Sequence, residues 1–188
     1  DMTIDVLGAA GIIITPTKDG YFIQGNQTYK PINLRIEGDY SQMAIYAVMG
    51  VLGNDIFCRN MTYPSLQPDS KIVDFIKSVG GEVEIKDNGI QFFKSKTTAA
   101  IFDVSQSPDI APALAILAAF SKGKSRITNA YRLKYKESNR LLSIYSTLKT
   151  IGVEVDLSED ELIIEGIEKY AGAQFDSFND HRIVMAAA

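Results

Sequence analysis

The chain has 188 residues, 46% hydrophobic and 22% charged, a balance that suits a globular protein and excludes a disordered or fibrous one. A formal charge of −4 leaves no broad basic face for nucleic acid or an anionic membrane surface, so any cationic site has to be small and local. A single cysteine, Cys58, and a single histidine, His181, exclude an internal disulfide and a Cys/His zinc cluster, and a reducing cytoplasm is the expected compartment.

Apolar periodicity predicts helices over 2–9, 40–51, 68–79, 108–121 and 136–151, with another opening near 180. The longest apolar run, IAPALAILAAF, is far short of a membrane span. The first residue is not methionine, and the sequence stops inside the apolar helical pattern of DHRIVMAAA, so a fragment of a longer protein is expected.

Similar pieces recur along the chain. AGIIITPTKDGYFIQG, VGGEVEIKDNGIQFF and IGVEVDLSEDELIIEG each read as helix end, strand, polar turn, strand, and they start about 70 residues apart. GDYSQMAIYAVMG, PDIAPALAILAAF and NDHRIVMAAA recur at a similar offset, each with an acidic residue at a helix start. The unit is βαβαββ, with nearly complete copies at about 39–107 and 108–178 and partial ones at either end. This pattern predicts an α/β fold of repeated units with buried parallel helices and outer sheets, the apolar helix over 110–120 lying deepest.

Chemistry concentrates at the helix starts. Asp39, Asp109 and Asp180 open three repeat-equivalent helices, where a carboxylate caps orphan amides and complements the helix dipole. RLKYKESNR at 132–140 is different: on a helix from 136, Lys136 and Arg140 share a face and Glu137 reaches Arg140. Cations are disfavoured near a helix N-terminus, a conflict that an incoming phosphate or carboxylate would resolve by drawing on guanidinium, ammonium and backbone amides together. A solvated first turn paired by Glu137 is the alternative. Arg182, beside Asp180 and His181, adds a second cation at a helix start, with pairing to Asp180 as its alternative. Parallel helices would bring these starts together and concentrate positive charge there.

KESNR, GVEVDLSEDELIIEG and NDHRIVMA, together with GDYSQMAIYAVMG and SPDIAPALAI, closely resemble the motifs of the 5-enolpyruvylshikimate-3-phosphate synthases, the 3-phosphoshikimate 1-carboxyvinyltransferases. The likeness runs from end to end, in the family's order and spacing. It implies two globules of three βαβαββ units each, with substrates in the cleft between them. It also implies transfer of the enolpyruvyl group of phosphoenolpyruvate to the 5-hydroxyl of shikimate 3-phosphate, releasing phosphate without a metal or organic cofactor. By the same resemblance Asp109 binds shikimate hydroxyls and joins in proton transfer, and Lys136 contacts the shikimate substrate. Glu137 is the candidate proton donor to the phosphoenolpyruvate methylene, and Arg140 and Arg182 hold the anionic groups of phosphoenolpyruvate.

Arg132 stands where some relatives have an asparagine that contacts shikimate, and no role is carried over to it. The family's N-terminal lysine loop, glycine-rich loop, serine-glutamine segment and C-terminal lysine have no counterpart in the chain. Residues 1–38 are thus expected to be the tail of the first globule and 39–188 most of the second, inactive without the other wall of the cleft. Two further readings are a relative of the enolpyruvyl transferase that acts on UDP-N-acetylglucosamine and a non-catalytic anion-binding repeat module.

Overall fold

The alternating helical and strand patterns form six helices and nine strands among the residues described by the computed structural model, 2–170 and 172–188. They fall into two units, Asp1–Glu37 and Gly38–Ala188. The smaller holds helix α1 (Met2–Ala9) and an antiparallel hairpin of β1 (Ile14–Thr17) and β2 (Gly20–Ile23). Gln27 braces the entry to the hairpin: its side chain accepts from the Ile13 N–H at 2.7 Å and donates to the Ile13 and Gln24 carbonyls.

In the larger unit the repeat is visible in both sequence and pairing. Helix α2 (Tyr40–Leu52), β3 (Ile56–Arg59), α3 (Ile72–Ser78), β4 (Glu82–Lys86) and β5 (Gly89–Phe93) make a sheet of order β3-β5-β4. Strand β6 (Ile101–Asp103), α4 (Ala111–Ala119), β7 (Lys124–Thr128), α5 (Arg140–Thr150), β8 (Val155–Leu157) and β9 (Leu162–Glu165) make one of order β6-β7-β9-β8. Helix α6 (His181–Ala187) follows. β5 lies between β3 and β4 just as β9 lies between β7 and β8. β6 pairs in parallel with β7, completing the second βαβαββ unit, so the boundary expected at 107 falls before Ile101. Its register, Phe102 opposite Ile127, turns two fully buried side chains to the core face.

Helix α4 is the centre of this unit. Its sequence APALAILAA is apolar on every side because it packs against α2, α5, α6, β7 and β9, and every residue except Ile116 is buried. Five of those residues are alanines, small enough to let neighbouring helices and strands approach closely. Around α4, each fully buried Leu or Ile, such as Leu114, Leu117, Ile127 and Ile164, contributes about 1.5–3 kcal/mol of burial free energy. A close approach also fixes Gly166: its N–H donates to the Gly123 carbonyl at 2.9 Å, and a Cβ there would be driven into the Ser121 carbonyl oxygen.

Helix starts differ from the periodicity in one place that matters. The helix expected from 136 begins at Arg140, because Asn139 is its N-cap and its Oδ1 accepts from the Leu142 N–H at 3.3 Å. Lys136 is extended, and the preceding Tyr131–Tyr135 forms a separate 3-10 turn. Lys136 and Glu137 therefore stand on a turn ahead of α5, and the helical spacing expected between Lys136 and Arg140 does not apply.

Candidate active site

Three aspartates open α2, α4 and α6, and two of them cap. Asp39 Oδ1 accepts from the Ser41 N–H at 2.7 Å and the Gln42 N–H at 3.4 Å. Asp180 Oδ1 accepts from the Arg182 N–H at 3.0 Å. Asp109 does not cap. It sits in the 3-10 turn Pro108–Ile110 that leads into α4, with its carboxylate turned to side chains from other elements. The capping expectation thus fails for Asp109, since Pro108 and the 3-10 turn organise that helix start without it.

Asp109 is where the candidate residues meet. Its Oδ1 accepts from Lys136 Nζ at 2.9 Å and from Arg140 Nη1 at 2.9 Å, while Arg182 Nη2 stands 4.0 Å from Oδ2. Burial works to raise the pKa of Asp109, but the Lys136 hydrogen bond and charge, with Arg182 and Arg140, outweigh it and hold the carboxyl below its ordinary value. Asp109 is therefore ionised at neutral pH, and Oδ2 is its less engaged acceptor.

Arg140 is the most enclosed charge of the site, its side chain 0% exposed. Nε donates to Asp180 Oδ2 at 2.9 Å and Nη2 to Asp180 Oδ1 at 3.2 Å, a bidentate pair. Nη1 takes Asp109, and Nη2 also donates to Glu137 Oε2. Burial would raise the Asp180 pKa; Arg140, the Arg182 N–H and Ser138 lower it. The chain reaches Asp180 through a turn in which Phe178 and Asn179 both have left-handed backbones, with φ of 51° and 53°. Asp176 Oδ1 and Ser177 Oγ hold that turn by accepting from the Phe178 and Asn179 N–H groups.

Arg182 does not pair with Asp180 through its side chain. Its Nη2 donates to Ser41 Oγ at 3.0 Å, and Ser41 Oγ–H donates to Asp39 Oδ1 at 2.6 Å. His181 is exposed, and Arg132 donates to the Ser105 carbonyl at 3.2 Å.

Two residues of this site are missing from the sequence reading. Ser41 is one. The other is Asp69, in the 3-10 turn Pro68–Lys71 ahead of α3, whose carboxyl is pushed up to about 6 by burial first and then by Asp109 and Asp39, against Arg182 and Lys136. Its signal was present: Pro68-Asp69 repeats the Pro-Asp opening of Pro108-Asp109. Among the described residues, five carboxyl groups (Asp39, Asp69, Asp109, Glu137 and Asp180) gather with three cations (Lys136, Arg140 and Arg182). The expected concentration of positive charge is thus reversed, because each cation is matched by carboxylates from neighbouring helix starts.

The sequence model of the family described as EPSP synthase (3-phosphoshikimate 1-carboxyvinyltransferase) matches residues 1–188, the whole chain. The chain belongs to the EPSP synthase family. A 3-phosphoshikimate 1-carboxyvinyltransferase of Clostridium kluyveri is 49% identical over 189 residues, covering 100% of this chain and 44% of the relative. One from Clostridium acetobutylicum is 43% identical, covering 99% and 43%. Among solved structures, an EPSP synthase from Acinetobacter baumannii superposes with a TM-score of 0.89 at 24% identity, over 99% of this chain and 46% of that one. The enolpyruvyl transferase NikO from Streptomyces tendae gives 0.68 at 16%, over 99% and 45%, and both show the shared fold. The chain thus spans less than half the length of the EPSP synthase family members it matches. Among the described residues no helix is long and apolar enough to cross a membrane, and no group of three or more His, Cys, Asp and Glu is arranged to hold a metal ion.

Proposed function

We propose that this chain supplies one wall of a cytoplasmic site in which the enolpyruvyl group of phosphoenolpyruvate passes to the 5-hydroxyl of shikimate 3-phosphate, with release of phosphate. In this reading residues 39–188 are most of the second globule, residues 1–38 end the first, and the remaining first globule is the principal partner. The supporting observation is the binding of Lys136 and Arg140 to Asp109, with Arg182 4.0 Å from its other oxygen, in a chain that the family matches from end to end.

The chemistry needs an acceptor for the attacking hydroxyl, a donor for the methylene and fixed cations for the phosphate and carboxylate. Asp109 Oδ2 suits a substrate hydroxyl, and Lys136, beside it, suits the same substrate. Glu137, its side chain 49% exposed, is the donor assigned to the methylene. Among the described residues the Arg182 guanidinium donates only through Nη2, to Ser41, so its Nε–H and Nη1–H groups are left for the anionic groups of phosphoenolpyruvate. Arg140 reaches the anion only after Glu137 releases Nη2. The anion that takes Nη2 would release Glu137 as a carboxylate, which has to take up a proton from solvent before it can deliver one to the methylene. A free-standing anion-binding module is disfavoured by the five carboxyl groups crowded around three cations, which leave the wall by itself poorly suited to a phosphate ester.

The test is a chimaera in which this chain replaces its counterpart in the Clostridium kluyveri relative. Phosphate release from phosphoenolpyruvate that depends on shikimate 3-phosphate is expected. A folded chimaera without that activity would overturn the assignment.

A further inference from the structure

We propose that Ser41 is a positioning residue that aims the Arg182 guanidinium at the anionic substrate, through a directed hydrogen-bond chain from Arg182 to Ser41 to Asp39. The proposal rests on the functional reading above and adds to it a residue that touches neither substrate.

The direction of the chain follows from proton count. Ionised Asp39 only accepts, so the single Ser41 hydroxyl proton is committed to Asp39 Oδ1 at 2.6 Å, and the Ser41 lone pairs are left to receive Arg182 Nη2 at 3.0 Å. Burial tends to raise the Asp39 pKa, but the Ser41 hydroxyl and the Ser41 and Gln42 N–H groups, with the Arg182 charge, keep it below the ordinary carboxylate value. Ser41 is itself 6% exposed, so little water competes for its oxygen.

The link joins residues 141 positions apart, the start of α2 to the start of α6. A long arginine side chain has many rotamers, and the nearest carboxylate would ordinarily capture it. Here Nη2 is held 4.0 Å from Asp109 Oδ2, too far for a hydrogen bond. By holding Arg182 off Asp109, Ser41 leaves Oδ2 open to a hydroxyl and leaves Nε and Nη1 open to an anion. The contrast with Arg140 carries the point: Arg140 is clasped directly by three carboxylates, whereas Arg182 is held by a neutral oxygen that fixes its direction without cancelling its charge at the contact.

Ser41→Ala removes the hydroxyl and keeps the backbone N–H groups that Asp39 caps, so α2 retains its start. Two measurements decide the proposal. In the chain alone, nitrogen NMR of the Arg182 side chain should show restrained, slowly exchanging η protons that Ser41→Ala releases; identical spectra would overturn the proposed contact. In the chimaera, Ser41→Ala should raise KM for phosphoenolpyruvate roughly tenfold, with a smaller change in kcat, the size of one lost hydrogen bond to a charged group. In an Arg182→Ala background the same change should add nothing further. A KM within about twofold of the parent, or an equal rise with and without Arg182, overturns the positioning role. Loss of transfer activity in the unsubstituted chimaera would overturn the functional reading instead, while the NMR measurement still decides whether Ser41 fixes Arg182.

Discussion

Arg140 and Asp180 are both fully enclosed, and a buried ion pair is held by its geometry, since desolvating two charges costs several kcal/mol. Two bonds between them, a third from Arg140 to Asp109 and a fourth from Ser138 Oγ to Asp180 at 3.1 Å offset that cost. Removing one partner strands the other. Arg140→Ala should therefore lower unfolding free energy by about 3–5 kcal/mol in urea titrations, and an unchanged midpoint would mean that the guanidinium does not tie α5 to α6. Glu137 is half exposed, so Glu137→Gln should cost less than about 1 kcal/mol of stability. In the chimaera that same change should lower kcat more than it raises KM; intact turnover would return Glu137 to a surface ion-pairing role.

Asp69 gives a prediction of opposite pH sense to an ordinary paired carboxylate. Folding moves its pKa from 3.8 up to about 6, so between those values the folded state holds the proton more tightly than the unfolded state. The contribution of Asp69 to stability thus falls as pH rises through that window, and the loss is complete above the folded pKa. Asp69→Asn should raise Tm relative to the parent at pH 7–8 and leave the two alike near pH 3, below the window. An equal gain at both pH values would assign the effect to packing.

At the scale of elements, tight approaches decide which substitutions the fold tolerates. Gly166 follows β9, where its backbone runs against the chain that leaves α4. Gly166→Ala forces backbone to move and should cost at least about 2 kcal/mol by thermal or urea unfolding. Gly8→Ala, in a helix with open space around the new Cβ, should not lower stability. If both substitutions behaved alike, the contact with the Ser121 carbonyl would not be limiting.

The elements themselves were legible in the sequence because apolar spacing and the recurring strand-turn-strand pieces survive in one dimension. The start of α5 was not, because Asn139 takes the cap and the helix begins only at Arg140, leaving Lys136 outside it. Asp109 looked like another cap, since Pro-Asp before an apolar run is compatible with capping; only its contacts with Lys136 and Arg140 distinguish it. Asp69 was legible in principle through the repeated Pro-Asp. Nothing in the sequence announces that Ser41 meets Arg182, because that contact depends on how α2 and α6 start beside one another.

For the whole molecule, charge sets what the chain does by itself. Phosphoenolpyruvate is multiply anionic, and here it would meet more carboxyl groups than cations, with Arg140 already saturated by Asp180, Asp109 and Glu137. Arg182 offers unbonded N–H groups, but Asp39, Asp69 and Asp109 all lie within its field. The chain alone should therefore bind phosphoenolpyruvate no more tightly than about 1 mM by calorimetry, which is about −4 kcal/mol, and should release no phosphate when shikimate 3-phosphate is added. In the chimaera the segments outside this chain would have to supply the cations that reverse the local sign, so affinity for phosphoenolpyruvate should rise and should weaken as salt screens the added charges. Tight binding by the chain alone would place the anion-holding groups on this wall after all. The carboxylates would then have to be neutralised or displaced when the anion arrives, and Asp69→Asn would have little effect on affinity, where a repulsive Asp69 predicts an increase.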